Sequence, residues 1–312
     1  MEIRLKIRAQ IAPALCGRST RKRGFPTASY QSTATFRTLV GADNDKEMCH
    51  SGRYPLFGDI FSAIMRAMHN IPPHFTRTHI LLGDEGLQQL AGKHVFVAGL
   101  GGVGSYCVEA LARAGIGRFT LLDHDVVAVS NINRQLLALY STIGISKAEL
   151  MRARIADINP DCKVTILKIF LTIDNVNDLV PADSDYVIDC IDSLSCKVAL
   201  LAESLKRGLN VASSMGAGNR LDPSRIKIAD ISKTEVCPLA RLIRLRLRRE
   251  NIYKPLLAVY SDEAGSAPLP PQPVEGPGRA RAVNGTISYM PALFGMMLAG
   301  AVINRLLENN RS

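Results

Sequence analysis

The stretch His94-Val95-Phe96-Val97-Ala98-Gly99-Leu100-Gly101-Gly102-Val103-Gly104 decides the fold. Five residues dominated by apolar side chains read as a buried strand, and the glycines after them let the backbone turn tightly and approach a phosphate. An amphipathic run from Val103 to Ala114 follows at once and reads as a helix whose N-terminal N–H groups meet the phosphate charge. A second strand, Phe119 to Asp123, then ends in an acid 19 residues beyond Gly104, placed to accept hydrogen bonds from ribose hydroxyls. Strand, glycine loop, helix, strand and acid in this order predict nucleotide binding through Gly99, Gly101, Gly102, Gly104 and Asp123. They do not decide between NAD and ATP.

Outward from this unit the chain alternates short apolar runs with longer amphipathic ones, the rhythm of a doubly wound, mostly parallel α/β sheet of Rossmann type. Further strands are expected at Lys163 to Lys168, Tyr186 to Cys190, Asn210 to Ala212, Arg225 to Ala229 and Leu256 to Tyr260, and further helices at Lys147 to Ile158, Cys196 to Arg207 and Pro238 to Arg249. Between 261 and 285 lie five prolines (Pro268, Pro270, Pro271, Pro273, Pro277), too many for a packed element, so this segment reads as a mobile crossover near the site. The uncharged stretch 287–303 approaches the length of a membrane span. Pro291, Gly295 and Gly300 interrupt it, which favours a buried core or dimer helix over membrane contact.

Asp123-His124-Asp125 and Ser130-Asn131-Ile132-Asn133-Arg134-Gln135, followed by Lys147, form a polar block that hydride transfer does not require. Adenylation does require one, because negative charge builds on the phosphate chain as pyrophosphate leaves. Arg134 and Lys147 can supply positive charge, while Asn131 and Gln135 can orient phosphate or metal-bound water; singly, each also reads as a cap or a surface base. The strand Val187-Ile188-Asp189-Cys190-Ile191-Asp192 ends in carboxylates at the ligand side of a parallel sheet. Asp192 there can hold Mg²⁺ or cap the next helix.

The 312 residues, 47% hydrophobic, exclude whole-chain disorder. Of the net charge of +10, the segment Met1 to Val40 carries +7, with eight bases against Glu2. Residues 1–70 show no sustained periodicity, and the basic, Ser/Thr-rich start reads as a mitochondrial or plastid transit peptide, or as a plain tail on a cytoplasmic protein. The folded domain is expected over 71–312. Seven scattered cysteines without a Cys-x-x-Cys pair argue against a structural zinc tetrad and against a disulfide framework. Arg241, Arg244 and Arg248 fall on one helical face, with Arg246 and Arg249 adjacent; this reads either as an RNA-phosphate stripe or as a solvated face.

The glycine loop, the LLDHD…SNINRQ block, the Lys147 helix and the DCID strand end resemble the ThiF/MoeB/ubiquitin-activating (E1-like) superfamily. ALARAGIGRFTLLD, RIADINPDCKV and GAGNRLDPSRIKIADISKTEVCPLARLIR resemble its tRNA threonylcarbamoyladenosine dehydratase branch (TcdA/CsdL type). The resemblance implies a ThiF-type fold and an ATP- and Mg²⁺-dependent adenylating enzyme acting on tRNA. It matches Asp123 to the ribose-binding acid, Asn131, Arg134 and Lys147 to the phosphate side, and Asp192 to the metal-binding acid, with Asp125 and Gln135 beside them. It also implies a homodimer in which an arginine, here Arg77, reaches the partner's nucleotide. The rival readings are an activator of a ubiquitin-like or sulfur-carrier protein and a non-catalytic nucleotide-binding scaffold. The branch's reaction closes intramolecularly and needs no relay thiol, and Cys237, the last cysteine, reads as structural.

Overall fold

Apolar runs too short for helices, yet buried on both faces, become the inner strands of a parallel sheet. The computed structural model describes residues 71–253, 255–267, 269–272 and 281–308. The targeting reading of residues 1–70 falls outside them. In chain order the elements are α1 (Thr76–Ala91), β1 (His94–Ala98), α2 (Gly104–Ala114), β2 (Arg118–Leu122), α3 (Lys147–Ile158), β3 (Lys163–Leu167), α4 (Val176–Leu179), β4 (Tyr186–Asp189), α5 (Leu194–Lys206), β5 (Val211–Ser214), β6 (Ile226–Asp230), α6 (Pro238–Arg249), β7 (Leu257–Ser261), β8 (Leu269–Gln272), β9 (Arg281–Val283) and α7 (Tyr289–Glu308). The anticipated elements are present, with ends shifted by up to two residues.

The main sheet has the order β3-β2-β1-β4-β5-β7-β6, parallel except for β6, which runs antiparallel to β7. Ala98 is level with Leu122 on one side and Asp189 on the other, so Gly99, Asp123 and Cys190 all leave the sheet at one edge. Side chains alternate across β1. Val95 and Val97 enter a core with α2, α3 and α7, whereas Phe96 and Ala98 enter the opposite core with α5 and α6. Ligands of such sheets bind beyond the carboxyl ends of the strands, where the order reverses between β1 and β4.

One expectation is corrected. The proline-rich segment is not simply a crossover: β8 and β9 pair as a separate antiparallel ribbon, through Leu269 with Val283 and Gln272 with Arg281. Pro270 and Pro271, which lack N–H groups, fall in the irregularity between those pairs, so the ladder forms around them. The apolar stretch 287–303 is the buried helix favoured above: from Tyr289 on it forms α7, which runs to Glu308, and Pro291 stays within its first turn, where proline is tolerated. Its Met290, Phe294, Leu298 and Val302 are fully buried.

Candidate active site

The crevice at the carboxyl edge of the sheet has a volume of about 1020 Å³. Gly99 enters the loop at φ +89°, a left-handed conformation that suits glycine. A Cβ on Gly104 would stand 1.7 Å from the Gly99 carbonyl oxygen, so this turn closes only with glycine there. No side chain caps the N-terminus of α2. The Ser105 N–H is taken by the Gly101 carbonyl (3.1 Å), and the positive end of the helix dipole is left facing an anion.

Asp123 braces the loop. It is 6% exposed, and its carboxylate accepts the Leu100 N–H (2.6 Å) and the Asp125 N–H (2.8 Å). Burial raises its pKa, opposed by the Leu100 N–H, the Lys147 charge and the Asp125 N–H. Two bonds leave lone pairs for further donors. Asp125, His124 and Asp123 form the one cluster of carboxylate and imidazole ligands among the described residues, with ligand atoms within 4.8 Å of one another.

Lys147 opens α3 and is nearly buried, its Nζ 2.8 Å from Asp125 Oδ2. Arg134 is half-buried; its Nη1 donates to the Ser130 carbonyl and Asn133 Oδ1, both at 2.9 Å, and the residue lines the crevice. Asn131 takes the capping role, its Oδ1 accepting the Ala128 N–H at 3.2 Å, while its side chain still borders the crevice. Gln135 is buried beside the glycine loop, and its Oε1 has no hydrogen-bond partner. A buried acceptor left unpaired in a polar crevice fits a ligand hydroxyl or a bound water.

The two carboxylates after β4 divide their work. Asp189 is fully buried and accepts from Lys197 Nζ (2.5 Å), Ser213 Oγ (2.5 Å) and the Ile191 N–H (3.1 Å). It anchors the turn that carries Asp192, whose exposed carboxylate faces the crevice and caps nothing.

The structure thus brings Gly99, Gly101, Gly102, Asp123, Asp125, Asn131, Arg134, Gln135, Lys147 and Asp192 to one cavity, with Gly104 beneath the loop. Arg77 is not among them; it is exposed on α1, away from its own chain's crevice. The arginine stripe on α6 is broken. Arg244 donates to the carbonyls of Ile231 (3.1 Å) and Thr234 (3.0 Å) and is partly buried, so only Arg241 and Arg248 of the three are exposed. Cys237 is 3% exposed before α6 and outside the crevice.

Sequence reasoning missed the far wall. Asn284 and Thr286 border the crevice, held by Asn219 Nδ2 to Asn284 Oδ1 (2.8 Å), the Gly285 N–H to Asn219 Oδ1 (2.6 Å) and Asn133 Nδ2 to the Thr286 carbonyl (3.0 Å). Asn219, at φ +60°, was the available signal, since an asparagine between Gly218 and Arg220 suits a left-handed turn.

The ThiF family profile matches residues 75–312. The tRNA threonylcarbamoyladenosine dehydratase of Bacillus subtilis (strain 168) is 42% identical over 241 residues, covering 75% of this chain and 95% of that protein. The crystal structure of E. coli tRNA N6-threonylcarbamoyladenosine dehydratase, TcdA, in complex with ATP superposes with a TM-score of 0.68 at 36% identity, over 76% of this chain and 95% of that one. The sulfur carrier protein ThiS adenylyltransferase of E. coli (strain K12) matches less of the chain, 46% of it at 36% identity. Glycine loop, braced acid, cationic wall and a likeness that runs on through the C-terminal half lead to one assignment: the chain belongs to the ThiF family, in its tRNA threonylcarbamoyladenosine dehydratase branch.

Proposed function

We propose that this protein uses ATP to cyclise threonylcarbamoyladenosine in tRNA with loss of water. The observation that carries the reading is the convergence of Arg134, Lys147 and Asp192 on the glycine-loop crevice. The threonyl carboxylate attacks the α-phosphorus of ATP, the bond to the β-phosphate breaks and pyrophosphate leaves. A ureido atom of the same modification then attacks the activated carbonyl and expels AMP, which carries off one carboxylate oxygen. Arg134 and the positive end of the α2 dipole balance the developing phosphate charge, Lys147 acts from beside Asp125, and Asp123 receives the ribose. Asp192 would hold the Mg²⁺, which supplies charge at the leaving phosphates. Both acyl activation and ring closure occur on one substrate, so no thiol relay is needed.

The functional unit is a homodimer with Arg77 acting across the interface. In support, α1 also presents Ile80 (72% exposed) and Leu81 (84% exposed), an apolar pair suited to burial against a second copy. Residues 1–70 direct the protein to mitochondria or plastids, which a fusion of residues 1–45 to a fluorescent reporter checks by its location. Activation of a sulfur-carrier or ubiquitin-like protein is the second reading, favoured by the partial likeness to the ThiS adenylyltransferase. Mass spectrometry of tRNA nucleosides after incubation with ATP and the protein decides. AMP formation that needs tRNA, with a product 18 Da lighter (about one water, by the proposed stoichiometry), is expected; AMP formation driven by a carrier protein alone would reject the tRNA reading.

A further inference from the structure

Beside the crevice lies a second, more apolar groove of about 600 Å³ between the loop after β3, the start of α5 and the end of α6. Phe170 and Cys196 border both cavities, so the groove opens directly from the nucleotide site. Phe170 is 49% exposed, and its ring packs perpendicular to that of His124 with centroids 4.8 Å apart. Across from it are Arg246 and Arg249, and neither guanidinium has a hydrogen-bonding or ionic partner among the described residues. Glu250 also borders the groove, but Lys206 holds its carboxylate at 2.8 Å. The net offer is a flat apolar face with two free cations.

Single-stranded RNA is recognised by that pairing, bases on aromatic faces and phosphates on arginine. We infer that the groove seats the nucleotide next to the reacting one, its base on Phe170 and its phosphates on Arg246 and Arg249. The inference rests on the tRNA reading of the crevice and adds where the strand runs. A nucleotide reacting in the crevice is covalently tied to neighbours that must leave it by some path, and this groove is continuous with it. The face used is therefore Arg246 and Arg249, not the stripe of Arg241, Arg244 and Arg248, in which Arg244 is already engaged with carbonyls.

The test is steady-state pyrophosphate release by the full chain with ATP and tRNA bearing threonylcarbamoyladenosine, at two salt concentrations, with ATP binding measured separately by calorimetry. Phe170→Ala should raise the KM for tRNA at least about fivefold, the lower range of one base-stacking contact, and Phe170→Tyr should restore it. Arg246→Glu with Arg249→Glu should raise that KM and flatten its salt slope by about 1.4, two phosphate contacts on a single strand. Arg241→Glu with Arg248→Glu should lose less. ATP affinity should stay within twofold in both arginine pairs, which lie outside the nucleotide crevice. Wild-type KM and salt slope in the Arg246/Arg249 variant, or a larger loss in the Arg241/Arg248 variant, would overturn the inference while leaving the tRNA reading intact. Failure of tRNA to stimulate the wild-type protein would overturn both.

Discussion

Replacing Lys197 by methionine tests how the crevice is held up from below. Lys197 and Asp189 are 1% and 0% exposed, and Lys197 Nζ also donates to the Ser214 carbonyl at 2.9 Å. The methionine fills similar space but leaves the Asp189 carboxylate buried with only the Ser213 hydroxyl and the Ile191 N–H. Breaking a buried pair from one side costs about 3–5 kcal/mol. For a domain of this size that lowers Tm by roughly 6–20 °C, at about 2–4 °C per kcal/mol. Adding Asp189→Asn removes the stranded charge and keeps an acceptor for Ile191, so the double variant should recover most of the loss and retain the turn that presents Asp192. Urea unfolding of wild type, both singles and the double, with equal m-values, gives the coupling directly. A single variant within about 1 kcal/mol of wild type, or a double variant as unstable as the sum of the singles, would refute a structural ion pair.

Other outcomes follow from the same geometry. Asp192→Ala and Lys147→Ala should each lose most tRNA-dependent pyrophosphate release while far-UV circular dichroism stays native; near-normal release in either removes that residue from the mechanism. Cys237→Ala should retain turnover, because the thiol is buried outside the crevice, and a dead but folded variant would restore the thiol-relay reading. Asp262, bridged by Arg225 and Lys227, has its carboxyl held down at about 2. A depressed folded pKa gives stability that is present above the unfolded value and is lost as pH falls through the folded one. Asp262→Asn should therefore flatten the stability profile between about pH 4 and 2, and an unchanged acid limb would show that this bridge does not matter.

The glycine loop and the strands were legible because they obey local rules: five-residue apolar runs, a period of two, and glycines where a side chain would collide. The division between Asp189 and Asp192 was not. Both follow one apolar run three residues apart, and which one is buried depends on Lys197, a residue of the next helix. A lysine within the otherwise apolar Val198–Ala202 neighbourhood was the trace it left. Helical arithmetic grouped Arg244 with Arg241 and Arg248 correctly as to angle, yet the carbonyls of Ile231 and Thr234 reach it only in three dimensions. Asn284 and Thr286 enter the wall by a chain return with no periodicity to read.

By composition α7 passes for a membrane anchor, with a mean hydropathy of 1.5 over its best window. It is instead the floor of the glycine loop: a Cβ on Gly102 would meet Pro291 Cβ at 3.0 Å, and one on Gly295 would meet the Val103 carbonyl oxygen at 2.3 Å. Detachment of this helix from the loop and occupation of the loop by a nucleotide are thus opposed. Thermodynamic linkage follows, and a ligand at a hundred times its Kd would oppose extraction by about 2.7 kcal/mol. The helix that reads most like an anchor is thereby the one whose seating a bound nucleotide would reinforce.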